Sequence, residues 1–106
     1  MQYDTIIVEK EAGIGQIVLN RPQQMNAISM AMAREIMRAC DDFEADRSVS
    51  CVILSGAGRA FCAGGDLKEA GTLASLETEE MWDNVALWNK MGHRVKSLEL
   101  PTIAAL

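Results

Sequence analysis

Glycines and small side chains crowd one segment of the chain, Leu54-Ser-Gly-Ala-Gly-Arg-Ala-Phe-Cys-Ala-Gly-Gly-Asp-Leu67. The segment begins in an apolar run that favours a buried strand, continues as a glycine-rich turn and ends where a helix could start. Backbone N–H groups at the start of a helix lack intrahelical partners and lie at the positive end of its dipole, so they stabilise a negative charge. The segment therefore indicates a site that holds an anion or an oxyanion.

The glycine pattern does not match the known nucleotide-binding turns. It is neither the Gly-x-Gly-x-x-Gly of dinucleotide-binding folds nor a phosphate-binding loop ending in Gly-Lys-Ser/Thr. The absence of that lysine disfavours nucleotide hydrolysis.

Other residues that could do chemistry have simpler interpretations. Cys62 has no histidine near it in sequence, so a small hydrophobic role is favoured over a nucleophile. His93 falls late in a predicted helix, where facing solvent or complementing the dipole is favoured over acid–base chemistry. The acidic run that starts at Asp41 and Asp42 predicts a solvated helix face rather than a metal site.

Three residues keep two interpretations each. Trp82 and Trp88 either line an acyl pocket or belong to an ordinary core. Asp66 is either catalytic or a cap for the backbone amides of a following helix.

Composition excludes several classes of function. The chain has 106 residues, about half of them apolar, which allows one domain with a small core, and its formal net charge is −5. An acidic chain with scattered basic residues is not expected to bind nucleic acid or an anionic membrane. Its three cysteines match no zinc-site spacing, and neither a leader peptide nor an apolar stretch of membrane-spanning length is evident. We therefore expect a soluble cytoplasmic protein without a metal or redox cofactor.

The sequence pattern predicts an α/β fold. Residues 5–9 and 15–19 predict a hairpin with a glycine in its turn. Ser29 is expected to cap a helix whose buried face carries an apolar series: Met32, Ile36, Ala39, Cys40 and Phe43. Residues 50–55 then predict a parallel strand covered on both faces, reached by a right-handed crossover.

Two further helices and one strand follow in this prediction. A short helix is expected over residues 66–70, and a longer one begins at Thr78. The apolar face of the longer helix carries Met81, Val85, Trp88, Met91, Val95 and Leu98. Residues 102–106 predict a buried strand at the chain end. Because a buried strand of this kind usually belongs to a sheet that continues, we expect the domain to be incomplete at its C-terminus.

Three segments together resemble successive motifs of the enoyl-CoA hydratase/isomerase (crotonase) family. They are Asn20-Arg-Pro-Gln-Gln-Met-Asn-Ala27, the glycine segment from Leu54 to Leu67, and Leu100-Pro-Thr-Ile-Ala-Ala105. They occur in the order and spacing of that family. The resemblance implies a crotonase-like ββα superhelix, with an N-terminal hairpin and a parallel sheet with crossover helices. Residues 1–106 would form the N-terminal part of a single such domain.

The resemblance also implies a reaction and a site. Members of the family act on acyl-CoA thioesters in fatty acid metabolism, as lyases or isomerases, and stabilise an enolate oxygen with two backbone N–H groups. The first of these donors falls on Gly65. Residues expected to contact the CoA or acyl group are Gln23, Met25, Ala63, Gly64, Gly65, Asp66, Leu67 and Lys68. The resemblance implies no cofactor beyond the CoA of the substrate, and a homo-oligomer (trimer or hexamer) when the domain is complete.

The chain departs from the family pattern in two respects. The second donor and the acid/base glutamates of hydratases follow the Ile-Ala-Ala strand in the family, so this chain alone is expected to be inactive. Members also often carry a basic residue near positions 23–25 for the CoA phosphates, and here Arg21 or Lys68 could substitute. The alternative hypothesis is a truncated, non-catalytic module that binds CoA weakly or pairs with another chain through its exposed last strand and the apolar face of its long helix.

Overall fold

A four-stranded, mostly parallel sheet organises the chain in a computed structural model that describes residues 3–66 and 78–106. The strands are β1 (Ile6–Glu11), β2 (Ile14–Leu19), β3 (Cys51–Gly56) and β4 (Thr102–Ala105), in the order β1-β2-β3-β4. β1 is antiparallel to β2, and β2, β3 and β4 are parallel to one another. The described helices are α1 (Met30–Ala45), α2 (Thr78–Lys96) and a 3₁₀ turn at Pro22–Gln24. The α/β prediction is therefore confirmed.

A tight turn joins β1 to β2. Its two residues, Ala12 and Gly13, have φ angles of +52° and +82°. Two-residue hairpin turns with positive φ at both positions match the twist of the flanking strands, which explains the glycine. The predicted hairpin is confirmed, with β1 extending two residues beyond the predicted strand.

The core lies between α1 and one face of the sheet. Ser29 caps α1 as predicted, because its hydroxyl accepts a hydrogen bond from the Met32 N–H at 3.2 Å. The predicted apolar face of α1 is buried throughout. It belongs to one core cluster with Ile6, Ile17 and Val52 from the first three strands.

α2 packs against α1, and an ionic network joins the two helices. Arg94 donates to Asp41 at 2.8 Å and to Glu44 at 2.9 Å. Met91 is buried in the core, whereas Val85 is 40% exposed, so only part of the predicted apolar face of α2 is covered. The short helix predicted over residues 66–70 lies almost entirely outside the described residues.

Two burial predictions are wrong. β3 was expected to be covered on both faces, yet Ile53 is only half-buried, while Val52 on the opposite face is fully buried. β4 was expected to be buried, but every residue in it is exposed and Ile103 is 53% accessible. Ile53 and Ile103 are register partners and therefore share one face of the sheet. In the described part of the chain the core covers only the other face, and β4 has β3 as its single neighbour.

Candidate functional site

The candidate site consists of two loops that follow neighbouring parallel strands. The first runs from the end of β2 to Ser29, and the second from the end of β3 to Asp66. The N–H of Ala63 donates to the Met25 carbonyl at 3.0 Å, and the N–H of Ile28 donates to the Gly64 carbonyl at 2.8 Å. The structure thus brings the loops of the first two motifs together, and the third motif pairs as β4 with Leu54 and Ser55 at the start of the second. Carboxyl ends of parallel strands are a common position for binding sites.

A buried asparagine holds the two loops against each other. Asn26 is fully buried, and its carbonyl oxygen accepts from the Arg21 N–H at 2.8 Å. Its amide nitrogen donates to the carbonyls of Ala57 at 2.8 Å and Ala60 at 2.7 Å. Asn26 also has a φ of +57°, which asparagine tolerates better than most residues. The sequence analysis missed this role, although an asparagine flanked by apolar residues in a loop was an available signal.

An ion pair closes the same junction nearer the surface. The Arg21 guanidinium lies 2.9 Å from an Asp66 carboxylate oxygen, with both side chains largely buried, and it also donates to the Ala27 carbonyl. Arg21 is therefore directed at Asp66, which disfavours the idea that it takes the place of the missing CoA-phosphate contact. For Asp66, the pair supports a structural role.

The backbone of Gly65 leaves its N–H facing away from the first loop. Gly65 forms a parallel bridge with Ile28, in which Ile28 donates to Gly64 and accepts from the Asp66 N–H at 3.2 Å. In this pattern the N–H of the bridged residue points to the opposite side of the strand. Within residues 3–66 and 78–106, no acceptor is found for the Gly65 N–H. Gly65 is also an exposed residue.

Trp88 of α2 lies beside the α-carbon of Gly65. A Cβ atom placed on Gly65 would lie 3.6 Å from Cη2 of the Trp88 indole and 3.9 Å from its Cζ3. Trp88 is half-buried and packs against the core, whereas Trp82 is 64% exposed. The two tryptophans therefore differ: Trp88 lies beside the site, and Trp82 faces solvent.

The remaining predicted site residues fall partly within this geometry. Met25, Ala63, Gly64 and Asp66 meet at the junction of the loops, while Gln23 lies exposed in the 3₁₀ turn. Leu67 and Lys68 lie outside the described residues.

Cys62 lies in the turn of the second loop. The Cys62 sulfur accepts a hydrogen bond from the Gly64 N–H at 3.3 Å, so it braces the turn. Residues 3–66 and 78–106 contain no group of three histidine, cysteine, aspartate or glutamate side chains placed to hold a metal ion.

Comparison with known proteins identifies what this arrangement resembles. The enoyl-CoA hydratase/isomerase family model matches residues 9–106. A probable enoyl-CoA hydratase of Mycobacterium tuberculosis is 35% identical over all 106 residues, and a short-chain-enoyl-CoA hydratase of Clostridium acetobutylicum is 34% identical over the same share of the chain. These alignments cover 39% and 40% of the two relatives. The chain thus spans about two-fifths of the length of such proteins.

Solved structures agree with the sequence matches. An enoyl-CoA hydratase/isomerase from Xanthobacter autotrophicus superimposes with a TM-score of 0.93 at 35% identity, over 99% of this chain and 39% of that one. An enoyl-CoA hydratase/carnithine racemase from Magnetospirillum magneticum gives 0.88 at 36% identity, over 97% and 39%. No helix among the described residues is long and apolar enough to cross a membrane.

Proposed function

Because the chain belongs to the enoyl-CoA hydratase/isomerase family, we propose that it binds an acyl-CoA thioester and holds the thioester oxygen at the Gly65 N–H. The oxygen gains negative charge as an enolate forms. The observation that carries this proposal is that Gly65 is an exposed residue and that the described residues offer no acceptor for its N–H. A donor held rigidly where charge develops costs no reorganisation during the reaction, and one such donor contributes about 3 kcal/mol to transition-state stabilisation.

The surrounding loops supply the rigidity that this role requires. The hydrogen bonds of Asn26 and the ion pair of Arg21 with Asp66 fix the two loops on either side of the Ile28–Gly65 bridge. A backbone donor on a fixed turn acts through its position rather than through a side chain. Gly65 therefore needs neighbours that restrain it.

The rest of the substrate is proposed to lie along the same junction. Trp88 offers an apolar wall beside Gly65, suited to the first carbons of an acyl chain. Contacts to the acyl-CoA are proposed for Gln23, Met25, Ala63, Gly64, Asp66, Leu67 and Lys68. Since Arg21 is directed at Asp66, Lys68 is the better candidate for a phosphate of CoA.

We propose that catalysis needs acid and base groups in addition to the residues of the candidate site. Asp66 contributes a carboxylate at the junction of the two loops. Because this carboxylate is paired with Arg21, it is poorly placed to activate water. We propose that residues 1–106 are the N-terminal part of one domain and do not hydrate an enoyl thioester by themselves. We also propose that the whole protein works in the cytoplasm as a homo-oligomer without a cofactor beyond the CoA of its substrate.

The Gly65 donor can be tested by replacing its amide with an ester. Semisynthesis with glycolate at position 65 removes the N–H and keeps the shape, whereas Gly65→Ala keeps the N–H and fits beside Trp88. Acetoacetyl-CoA, which enolises readily, is titrated into each protein. We expect binding of its enolate to weaken about 100-fold for the ester, corresponding to about 3 kcal/mol, and to stay within a few-fold for Gly65→Ala.

Unchanged enolate binding by the ester would refute the Gly65 donor. CoA itself serves as the second ligand in this titration. Equal affinity for CoA and acetoacetyl-CoA would favour the alternative of a module that binds CoA without stabilising an enolate.

A further inference from the structure

A groove between α1 and α2 combines an apolar floor with positive charge. It has a volume of about 500 Å³, which is in the range of small-molecule sites. Its lining residues are Arg34, Met37, Arg38, Asp41, Leu87, Lys90, His93 and Arg94. We call this cavity the inter-helix groove. None of its lining residues belongs to the candidate site built around Gly65.

The inter-helix groove is lined mainly by positive charges, whereas the chain as a whole is acidic. Four of the ten lysine and arginine residues line it, together with a single carboxylate, although the chain as a whole carries a net charge of −5. These four cations come from both helices and face one cavity. Such clustering in an acidic chain creates a local positive potential that attracts anions.

The four lining cations differ in the contacts that they make with other side chains. Arg94 is held by Asp41 and Glu44. The Arg38 guanidinium lies 5.4 Å from the centre of the Tyr3 ring, a cation–π distance. For Arg34 and Lys90, no acidic partner is found within the described ranges 3–66 and 78–106. Both are exposed, and they approach the groove from opposite helices.

The floor of the groove favours an anion with an apolar body. Met37 is half-buried against the core, and Leu87 on α2 is also half-buried. A flexible thioether can fit an irregular apolar or aromatic group. A bare inorganic ion would leave this floor in contact with water.

We propose that the inter-helix groove binds a small organic phosphate, with its phosphate between Arg34 and Lys90 and its apolar body on Met37 and Leu87. Phosphate is preferred because the arginine fork donates two parallel hydrogen bonds to its oxygens, while lysine adds a point charge from the other helix. Its double negative charge also matches two cations without a described acidic partner better than a single carboxylate does.

The test is isothermal titration calorimetry with 1-naphthyl phosphate, inorganic phosphate and 1-naphthol. The double variant Arg34→Gln/Lys90→Gln removes the proposed phosphate contacts, and Arg47→Gln removes an exposed cation outside the groove as the matched control. We expect naphthyl phosphate to bind at least tenfold more tightly than either fragment. The double variant should weaken it at least tenfold, and Arg47→Gln by less than twofold. Circular dichroism should show unchanged helix content in both variants.

Several results would overturn the assignment. One is undiminished binding of naphthyl phosphate by the double variant, and another is an equal effect of Arg47→Gln, which would indicate attraction by overall charge. Equal affinity for inorganic phosphate would contradict a role for the apolar floor, for which Leu87→Ser provides a separate check with both cations retained. A failure of Gly65 to act as a donor would leave these outcomes unchanged.

Discussion

Removing the Asn26 side chain should destabilise the protein and loosen both loops of the candidate site. Asn26→Ala deletes the three hydrogen bonds of a fully buried residue: one from the Arg21 N–H and two to the carbonyls of Ala57 and Ala60. Each typically contributes about 1 kcal/mol to the free energy of unfolding. Alanine at a φ of +57° costs about 1 kcal/mol more. The expected loss is therefore about 4 kcal/mol.

A companion substitution separates the two causes. Asn26→Gly removes the same hydrogen bonds but accepts a positive φ without a steric penalty, so it should cost about 1 kcal/mol less than alanine. Asn20→Ala is the matched control, because Asn20 is exposed and its side chain makes no hydrogen bond to a described residue. We expect that control to change stability by less than about 0.5 kcal/mol.

Urea denaturation followed by far-ultraviolet circular dichroism measures all three variants. The reasoning is refuted if Asn26→Ala loses no more stability than Asn20→Ala, since the three hydrogen bonds of Asn26 cannot then be supporting the loops. If Asn26→Gly is less stable than Asn26→Ala, the argument from the positive φ is contradicted, while the argument from the hydrogen bonds is not affected. Acetoacetyl-CoA titration of the same proteins should show weaker enolate binding only where the loops are loosened.

Three other predictions follow from single features of the structure. Gly56→Ala should cost more than about 3 kcal/mol in urea denaturation, because its Cβ would lie within 3.0 Å of backbone carbonyls, whereas Gly65→Ala should stay within about 1 kcal/mol. Hydrogen bonds from Lys10 and Ser48 lower the pKa of Asp46 to about 2, so its contribution to stability is present above pH 4 and lost as the pH falls toward 2; Asp46→Asn should flatten an acid titration there. Burial raises the pKa of the fully buried Cys40 to about 11, and iodoacetamide at pH 8 should label it only after denaturation.

Local signals made much of the fold predictable from sequence. The positive-φ turn of the hairpin requires residues such as glycine, and the Ser29 cap with the apolar spacing of α1 defines a helix within a few residues of its observed bounds. Burial of β3 and β4 was not predictable in this way. An apolar run indicates that a strand can be buried, but whether it is covered depends on which other elements lie against it. In the described chain, Ile53 and Ile103 face away from the core.

The candidate site was likewise predictable from local sequence only in part. The resemblance of the glycine segment to a family motif pointed to Gly65 as the proposed donor. The support for that turn comes from contacts between residues far apart in sequence. Asn26 reaches across more than thirty residues to Ala57 and Ala60, and Trp88 approaches Gly65 from another element. No periodicity within one segment encodes such pairings.

Side-chain substitutions that test the proposed donor lie at the residues that restrain it. A backbone N–H has no side chain to remove, and Gly65→Ala leaves it in place with an ordinary van der Waals contact to Trp88. If the donor works by its fixed position, enolate binding should depend more on Asn26 and on the Arg21–Asp66 pair than on the side chain at position 65. Arg21→Lys keeps the charge but loses the fork that reaches both Asp66 and the Ala27 carbonyl. We expect it to weaken enolate binding while CoA binding changes little, and an equal loss for both ligands would show that Arg21 serves CoA instead.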